Sequence, residues 1–267
     1  MSAVNAALSG RWALILGGSD GLGAAFADDL AGRGAHCLLV ARNADKLTAT
    51  AQSIALRHNV SVQTLALDLG DADAVERLAD TTDAMDLALV VFNAGAESSG
   101  LLFADAPIEQ WHTVIDRNIG FLTEALHHFS QRFVKQRRGA LLIVGSEAAF
   151  GGGARAALYN ASKAYALNLG ESLWAELQPF GIAVQTLLFK IADTPTLRAV
   201  LARKGIPVEA TGAVAPERLA RATIDALFDG PVINFDEEAT SEPITTAVGR
   251  RSRVNSVSAQ LEAFYAP

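Results

Sequence analysis

Leu16-Gly17-Gly18-Ser19-Asp20-Gly21-Leu22-Gly23 follows an apolar run, Trp12–Leu16, and leads into Ala24, Ala25, Phe26 and Leu30, which share a helix face. A strand, a glycine-rich turn and a helix in this order open a strand–helix–strand crossover. Outward from this unit, short apolar runs occupy 37–40, 60–67, Leu87–Phe92, 140–144, 182–189 and 232–235, with enough chain between them for crossover helices. Most are apolar without interruption, as strands covered on both faces are. The expected architecture is α/β: a doubly wound parallel sheet of about seven strands, with helices on both faces. It forms a single domain over 1–267, with its core at about 10–235.

Half of the 267 residues are apolar and 19% are charged, which fits a globular chain with a large core. A net charge of −7 repels phosphate backbones and argues against nucleic acid as a partner. No apolar run approaches the roughly 18 residues of a membrane span. No cationic segment leads into a long apolar one near the N-terminus, so the expected location is cytoplasmic, away from membranes. The one cysteine, Cys37, lies in an apolar run and reads as a small buried side chain.

Two stretches depart from the alternation. Thr194-Pro195, then Leu197, Val200, Leu201 and Gly205, reads as a short helix with a capping threonine, a first-turn proline and a terminating glycine. It sits within a segment of about 190–212 that would serve as a lid. Residues 236–267 form a C-terminal extension of mixed charge. Asp236, Glu237 and Glu238 are acidic, Arg250, Arg251 and Arg253 basic, and the segment reads as solvated or wrapped on a partner.

In the opening turn, Gly17 permits a tight exit from the strand, Gly21 lets the backbone approach a pyrophosphate, and Gly23 lets the helix pack closely on the sheet. The helix N-terminus would present free N–H groups to phosphates. Taken alone, such spacing also suits an ordinary loop. The end of the second strand carries Ala41-Arg42 where a carboxylate would bind a ribose 2′-hydroxyl. A guanidinium instead pairs well with a 2′-phosphate. Arg42 could also be a solvated helix-cap arginine, and Asp20 is a mild counter-signal in the turn.

Tyr159-Asn160-Ala161-Ser162-Lys163 places a phenol and an ammonium four residues apart, on one helix face. A free phenol ionises near about 10. A neighbouring ammonium favours the phenolate, so the tyrosine can act as base on an alcohol or acid on a carbonyl. Ser146, thirteen residues earlier, follows the fifth strand and could hold the substrate oxygen. Adjacent His127 and His128 point apart on a helix, and His36, His58 and His112 lack partners at ligand spacing, so no metal site is expected. Gly151-Gly152-Gly153 reads as a mobile edge of a substrate pocket, and Glu147 as a surface residue or a polar selector.

These motifs resemble the short-chain dehydrogenase/reductase family, in its NADP-preferring branch, over about residues 10–235. Gly17, Gly21 and Gly23 have that family's G-x-x-x-G-x-G spacing; Tyr159 and Lys163, with Ser146 upstream, are the most specific part. The resemblance implies a Rossmann fold and hydride transfer between nicotinamide and an alcohol or carbonyl substrate, with NADP(H) as cofactor. It implies a catalytic set of Asn118, Ser146, Tyr159 and Lys163, with Asn118, on a long helix from about residue 107 to 138, holding a water for proton relay. Cofactor contacts would come from Gly17, Ser19, Asp20, Gly21, Leu22, Gly23, Arg42, Asp68, Leu69, Asn93, Ala94, Gly95, Tyr159, Lys163 and Thr194. A homodimer or homotetramer is also implied. Three departures stand out: Leu16 for the usual threonine, Phe92 for the first asparagine of Asn-Asn-Ala-Gly, and Phe189-Lys190 for Pro-Gly. The last motivates a second reading, a catalytically weak cofactor-binding regulator or scaffold.

Overall fold

A computed structural model describes residues 2–95, 101–152, 156–235, 246–252 and 255. Seven strands run in chain order: β1 (Trp12–Leu16), β2 (His36–Ala41), β3 (Val62–Ala66), β4 (Leu87–Phe92), β5 (Gly139–Val144), β6 (Ile182–Leu188) and β7 (Val232–Asn234). They form one sheet in the order β3-β2-β1-β4-β5-β6-β7, with every neighbouring pair parallel. The winding reverses between β1 and β4, and ligands of such sheets bind outside the strands' carboxyl ends at that reversal.

The helices are α1 (Ala3–Leu8), α2 (Gly21–Gly32), α3 (Ala44–His58), α4 (Ala74–Thr82), α5 (Ile108–Ile115), α6 (Phe121–Gln136), α7 (Ala157–Leu177), α8 (Pro195–Lys204) and α9 (Pro216–Asp225). One face of the sheet is covered by Phe26 and Leu30 of α2, Leu47 and Ile54 of α3, and Leu219 and Ile224 of α9. The other carries Leu78 of α4, Phe129 and Phe133 of α6, and Ala166 of α7. Strand residues alternate between these two layers: Ala13 and Ile15 face one, Leu14 and Leu16 the other. Both faces are therefore dry, which is why the sequence shows continuous apolar runs instead of alternation.

Four features differ from the sequence reading. The third strand begins at Val62 rather than residue 60 and is largely exposed, because it is the sheet's edge. The core also begins earlier than residue 10: α1 buries Val4 and Leu8, with Ser2 accepting a hydrogen bond from the Asn5 N–H as its N-cap. The expected long helix at 107–138 is broken by a π turn, Asp116–Gly120, in which the Phe121 N–H donates to the Asp116 carbonyl. The extra residue turns Asn118 inward, to 7% exposure, while Phe121, Ala125, Phe129 and Phe133 keep the apolar stripe of α6. Finally, Arg250 in the C-terminal segment is buried rather than solvated. Gly153, Asp236, Glu237, Glu238 and Arg253 lie outside the described residues, as does most of the 236–267 extension.

Candidate active site

The glycine turn is shaped by contacts that leave no room for side chains. Gly17 has φ +83°, and its N–H donates to the Val40 carbonyl at 2.7 Å. A Cβ at Gly23 would lie 2.0 Å from the Gly17 carbonyl oxygen, so the first turn of α2 rests directly on the end of β1. Asn93 braces the turn from the next strand, donating from Nδ2 to the Gly17 carbonyl at 3.1 Å. Asp20 occupies the N-cap of α2 but makes no capping bond; its carboxylate pairs with Lys46 Nζ at 2.8 Å. The first-turn N–H groups of α2 thus have no side-chain cap, as anion-binding helix termini require. Gly23→Ala should force the helix off the turn, cost about 1–3 kcal/mol of stability and weaken dinucleotide binding. Thermal melts with and without NADPH check both effects.

A cleft of about 720 Å³ opens at the carboxyl ends of the strands. All the sequence-predicted cofactor contacts except Gly23 line it, and Gly23 acts from beneath through packing. Its lining includes Arg42 and Lys46 beyond β2, Asp68 and Leu69 beyond β3, Tyr159 and Lys163 of α7, and Phe189, Lys190 and Thr194 beyond β6. Asn43, not Arg42, caps α3, accepting from the Lys46 N–H at 2.9 Å, so the helix-cap reading of Arg42 does not hold. Arg42 is two-thirds exposed, 3.8 Å from Asp68. Asp68 accepts from the Gly70 N–H and from Arg117; these contacts hold its carboxyl below the usual range, the Gly70 bond contributing most and burial opposing it.

Lys163 is buried, 8% exposed, and donates from Nζ to the Val144 carbonyl at 2.9 Å. Burial pushes its ammonium down to about 8 from the ordinary 10.5. Nζ lies 5.7 Å from the centre of the Tyr159 ring, so α7 delivers both groups to one wall of the cleft. Tyr159 is partly buried and faces the cleft, not the core.

Asn118 donates to Ser162 Oγ at 3.4 Å, while its Oδ1 is buried without a hydrogen-bond partner among the described residues. It lines, with Lys163, Arg117 and Gly95, an inner pocket of about 20 Å³. That space takes one water molecule, whose O–H would donate to the orphaned Oδ1.

Ser146 is not among the residues lining the cleft. Its hydroxyl accepts from the Ala148 N–H at 3.2 Å, capping a 3-10 turn (Glu147–Phe150), and reaches the Phe189 carbonyl at a long 3.5 Å. The sequence reading missed Arg117, which borders both cleft and inner pocket, and Thr196, Leu197 and Val200, which bring the first turns of α8 onto the cleft. Arg117 carried no motif. The α8 residues were foreshadowed by the Thr194 cap, which accepts from the Leu197 N–H at 3.2 Å.

The family model for short chain dehydrogenase matches residues 11–205, from the start of β1 through α8. The chain belongs to the short chain dehydrogenase family. Among curated members of this family, it is 28% identical over 188 residues to a 7beta-hydroxysteroid dehydrogenase of Collinsella aerofaciens, covering 70% of this chain and 71% of that protein. It is 34% identical over 182 residues to a very-long-chain 3-oxoacyl-CoA reductase of Aspergillus clavatus, covering 66% of this chain and 52% of that one. A solved short-chain dehydrogenase from Sphingobium yanoikuyae, in complex with NADPH, superposes with TM-score 0.77 at 27% identity, over 95% of both chains.

In this short chain dehydrogenase, the loop that carries Phe189-Lys190 is tied down on both sides. Glu147 N–H donates to the Phe189 carbonyl, Ala192 bridges to Val214, and Thr194 reaches the cleft. Phe189, Lys190 and Thr194 all line the cleft.

Proposed function

We propose that the chain is an NADP(H)-dependent oxidoreductase that interconverts a small-molecule alcohol and its carbonyl. The observation that carries this reading is that Tyr159 and Lys163 line the same cleft as the glycine turn and Arg42. The site suits a dinucleotide: an uncapped helix terminus beneath a glycine cradle, a guanidinium at the end of β2, and small residues Ala94 and Gly95 along the floor. When bound, the cofactor supplies the hydride. Gly17, Ser19, Gly21 and Leu22 hold the pyrophosphate, Arg42 the 2′-phosphate, Asp68 and Leu69 the adenine, and Asn93, Ala94, Gly95, Lys163 and Thr194 the nicotinamide riboside. The structural neighbour in complex with NADPH supports this cofactor.

In reduction, Tyr159 donates its phenolic proton to the substrate oxygen. The buried Lys163 ammonium stabilises the charge left on the phenolate, and Asn118 with a water in the inner pocket refills the proton. Ser146 steadies the substrate oxygen by breaking its long bond to the Phe189 carbonyl. The segment 190–212 acts as lid, since α8 already lines the cleft. The test is NADPH consumption across ketones and aldehydes, with a steroid ketone and a 3-oxoacyl thioester included because of the relatives' names. Turnover of any member supports the reading. The inward bonds of Ser146 favour one competitor, the cofactor-binding regulator, which predicts tight NADPH binding with no turnover across the panel.

Arg42→Ala should weaken NADPH by about tenfold to a hundredfold through loss of a charge-assisted bond and leave NADH nearly unchanged. Calorimetric Kd values for both cofactors check it, and equal losses would remove the case for 2′-phosphate recognition. A homodimer or homotetramer remains part of the proposal, supported by exposed Phe103, Ile108 and Ile115 on and before α5. Among the described residues no helix is long and apolar enough to cross a membrane; a cytoplasmic location is proposed with the rest.

A further inference from the structure

The C-terminal segment at 246–252 is docked, not solvated. Arg250 and Glu171 of α7 form an ion pair, Nε to Oε1 at 2.5 Å, with both side chains only 5% exposed. Arg251 donates from Nε to the Gly230 carbonyl at 2.6 Å, fixing the segment a second time. The Arg250 guanidinium also lies over the Phe150 ring, 5.2 Å from its centre. Phe150 ends the 3-10 turn that Ser146 caps, and it packs with Leu167, Leu188 and Val232. Glu171 and Leu167 lie two turns and one turn beyond Lys163 on α7.

Arg250 thus touches both elements that carry the proposed chemistry, the Ser146 turn through Phe150 and the Tyr159–Lys163 helix through Glu171. It lines neither the cleft nor the inner pocket. A guanidinium serves here because one planar group can bond a carboxylate at its edge while its face stacks on an aromatic ring. Stability alone does not call for such a pair, since buried ion pairs rarely outperform apolar packing of the same size.

We propose that Arg250 is a positioning residue, through which the C-terminal segment braces the Ser146 turn against α7 and sets the substrate end of the site. This rests on the oxidoreductase reading for its kinetic consequence but not for its mechanical one. In the full chain, Arg250→Met should leave NADPH Kd within about twofold, since Arg250 is off the dinucleotide cleft, and lower kcat by about tenfold to a hundredfold through misplacement of Ser146. Its Tm should fall by about 10 °C, because the buried Glu171 carboxylate loses the guanidinium charge that balances it. The double variant Arg250→Met/Glu171→Met should recover Tm but not kcat. Phe150→Leu, which keeps the ion pair and removes the ring, should lower kcat with a smaller loss of Tm.

Amide hydrogen exchange supplies a readout that needs no substrate. The Ala148 N–H, bonded to Ser146 Oγ, should exchange at least about tenfold faster in Arg250→Met and in the double variant than in wild type. Recovery of kcat together with Tm in the double variant, or unchanged exchange at Ala148 in both variants, overturns the proposal. If wild type turns over no carbonyl, the oxidoreductase reading fails, and the exchange result still decides whether Arg250 braces the turn.

Discussion

Tyr159→Phe is expected to lower kcat for carbonyl reduction by about 10²–10⁴-fold while NADPH Kd changes little. The substitution removes one oxygen and keeps the ring that sits 5.7 Å from Lys163 Nζ and lines the cleft. Packing and cofactor surface are therefore preserved, and the loss isolates proton donation. Single-turnover oxidation of bound NADPH by a good ketone substrate separates this step from product release. A variant that keeps near wild-type single-turnover rates would remove Tyr159 from the mechanism.

Lys163→Met should abolish most activity and, unusually for a buried residue, cost the cofactor-free protein little stability at neutral pH. Burial holds the Lys163 ammonium at about 8 against an ordinary 10.5. Keeping it charged at pH 7 thus costs the fold roughly 3 kcal/mol, offset in part by the bond to the Val144 carbonyl. The sign follows from proton counting: between about 8 and 10.5 the unfolded chain binds more protons at this group than the folded one. The lysine's burden is therefore full below pH 8, and stability from this group rises with pH across that window. Methionine removes the burden at every pH. Its stability advantage, or its smaller deficit, relative to wild type should be largest at pH 7 and shrink toward pH 10.5. Urea melts at pH 7 and pH 10 check this, and a difference that does not vary with pH would contradict it. The expected loss of turnover, without loss of fold, marks Lys163 as a group kept for chemistry.

Much of the fold was legible because the sheet is parallel and covered on both faces. That geometry writes itself as uninterrupted apolar runs, and β1 and β4 match their runs residue for residue. The α8 helix was equally legible, since Thr194, Pro195 and Gly205 are local signals that do not depend on tertiary context. The edge strand β3 blurred because only one neighbour pairs with it and much of its surface faces solvent. The π turn at Asn118 was invisible, since an inserted residue shifts helical phase without a compositional mark. Arg250 illustrates the opposite failure: a charged residue in a polar tail reads as solvated until its carboxylate, 79 positions earlier in the chain, is known. That the glycine turn, Arg42, Tyr159 and Lys163 would share one cleft was readable because each is tied to a strand end or a helix face. The inward bonds of Ser146 depend on where β6 ends, which its own neighbourhood does not encode.

The central claim is that the Tyr159 hydroxyl faces a substrate oxygen beside the nicotinamide ring, in a cleft whose far end holds the 2′-phosphate. A crystal structure of the chain with NADPH tests it most directly. The account predicts phosphate oxygens on the Arg42 guanidinium and a nicotinamide ring near enough to Tyr159 Oη for one carbonyl to contact both, at about 3–3.5 Å on each side. A dinucleotide lying elsewhere, or bound with the Tyr159 hydroxyl turned away from the ring, would contradict it.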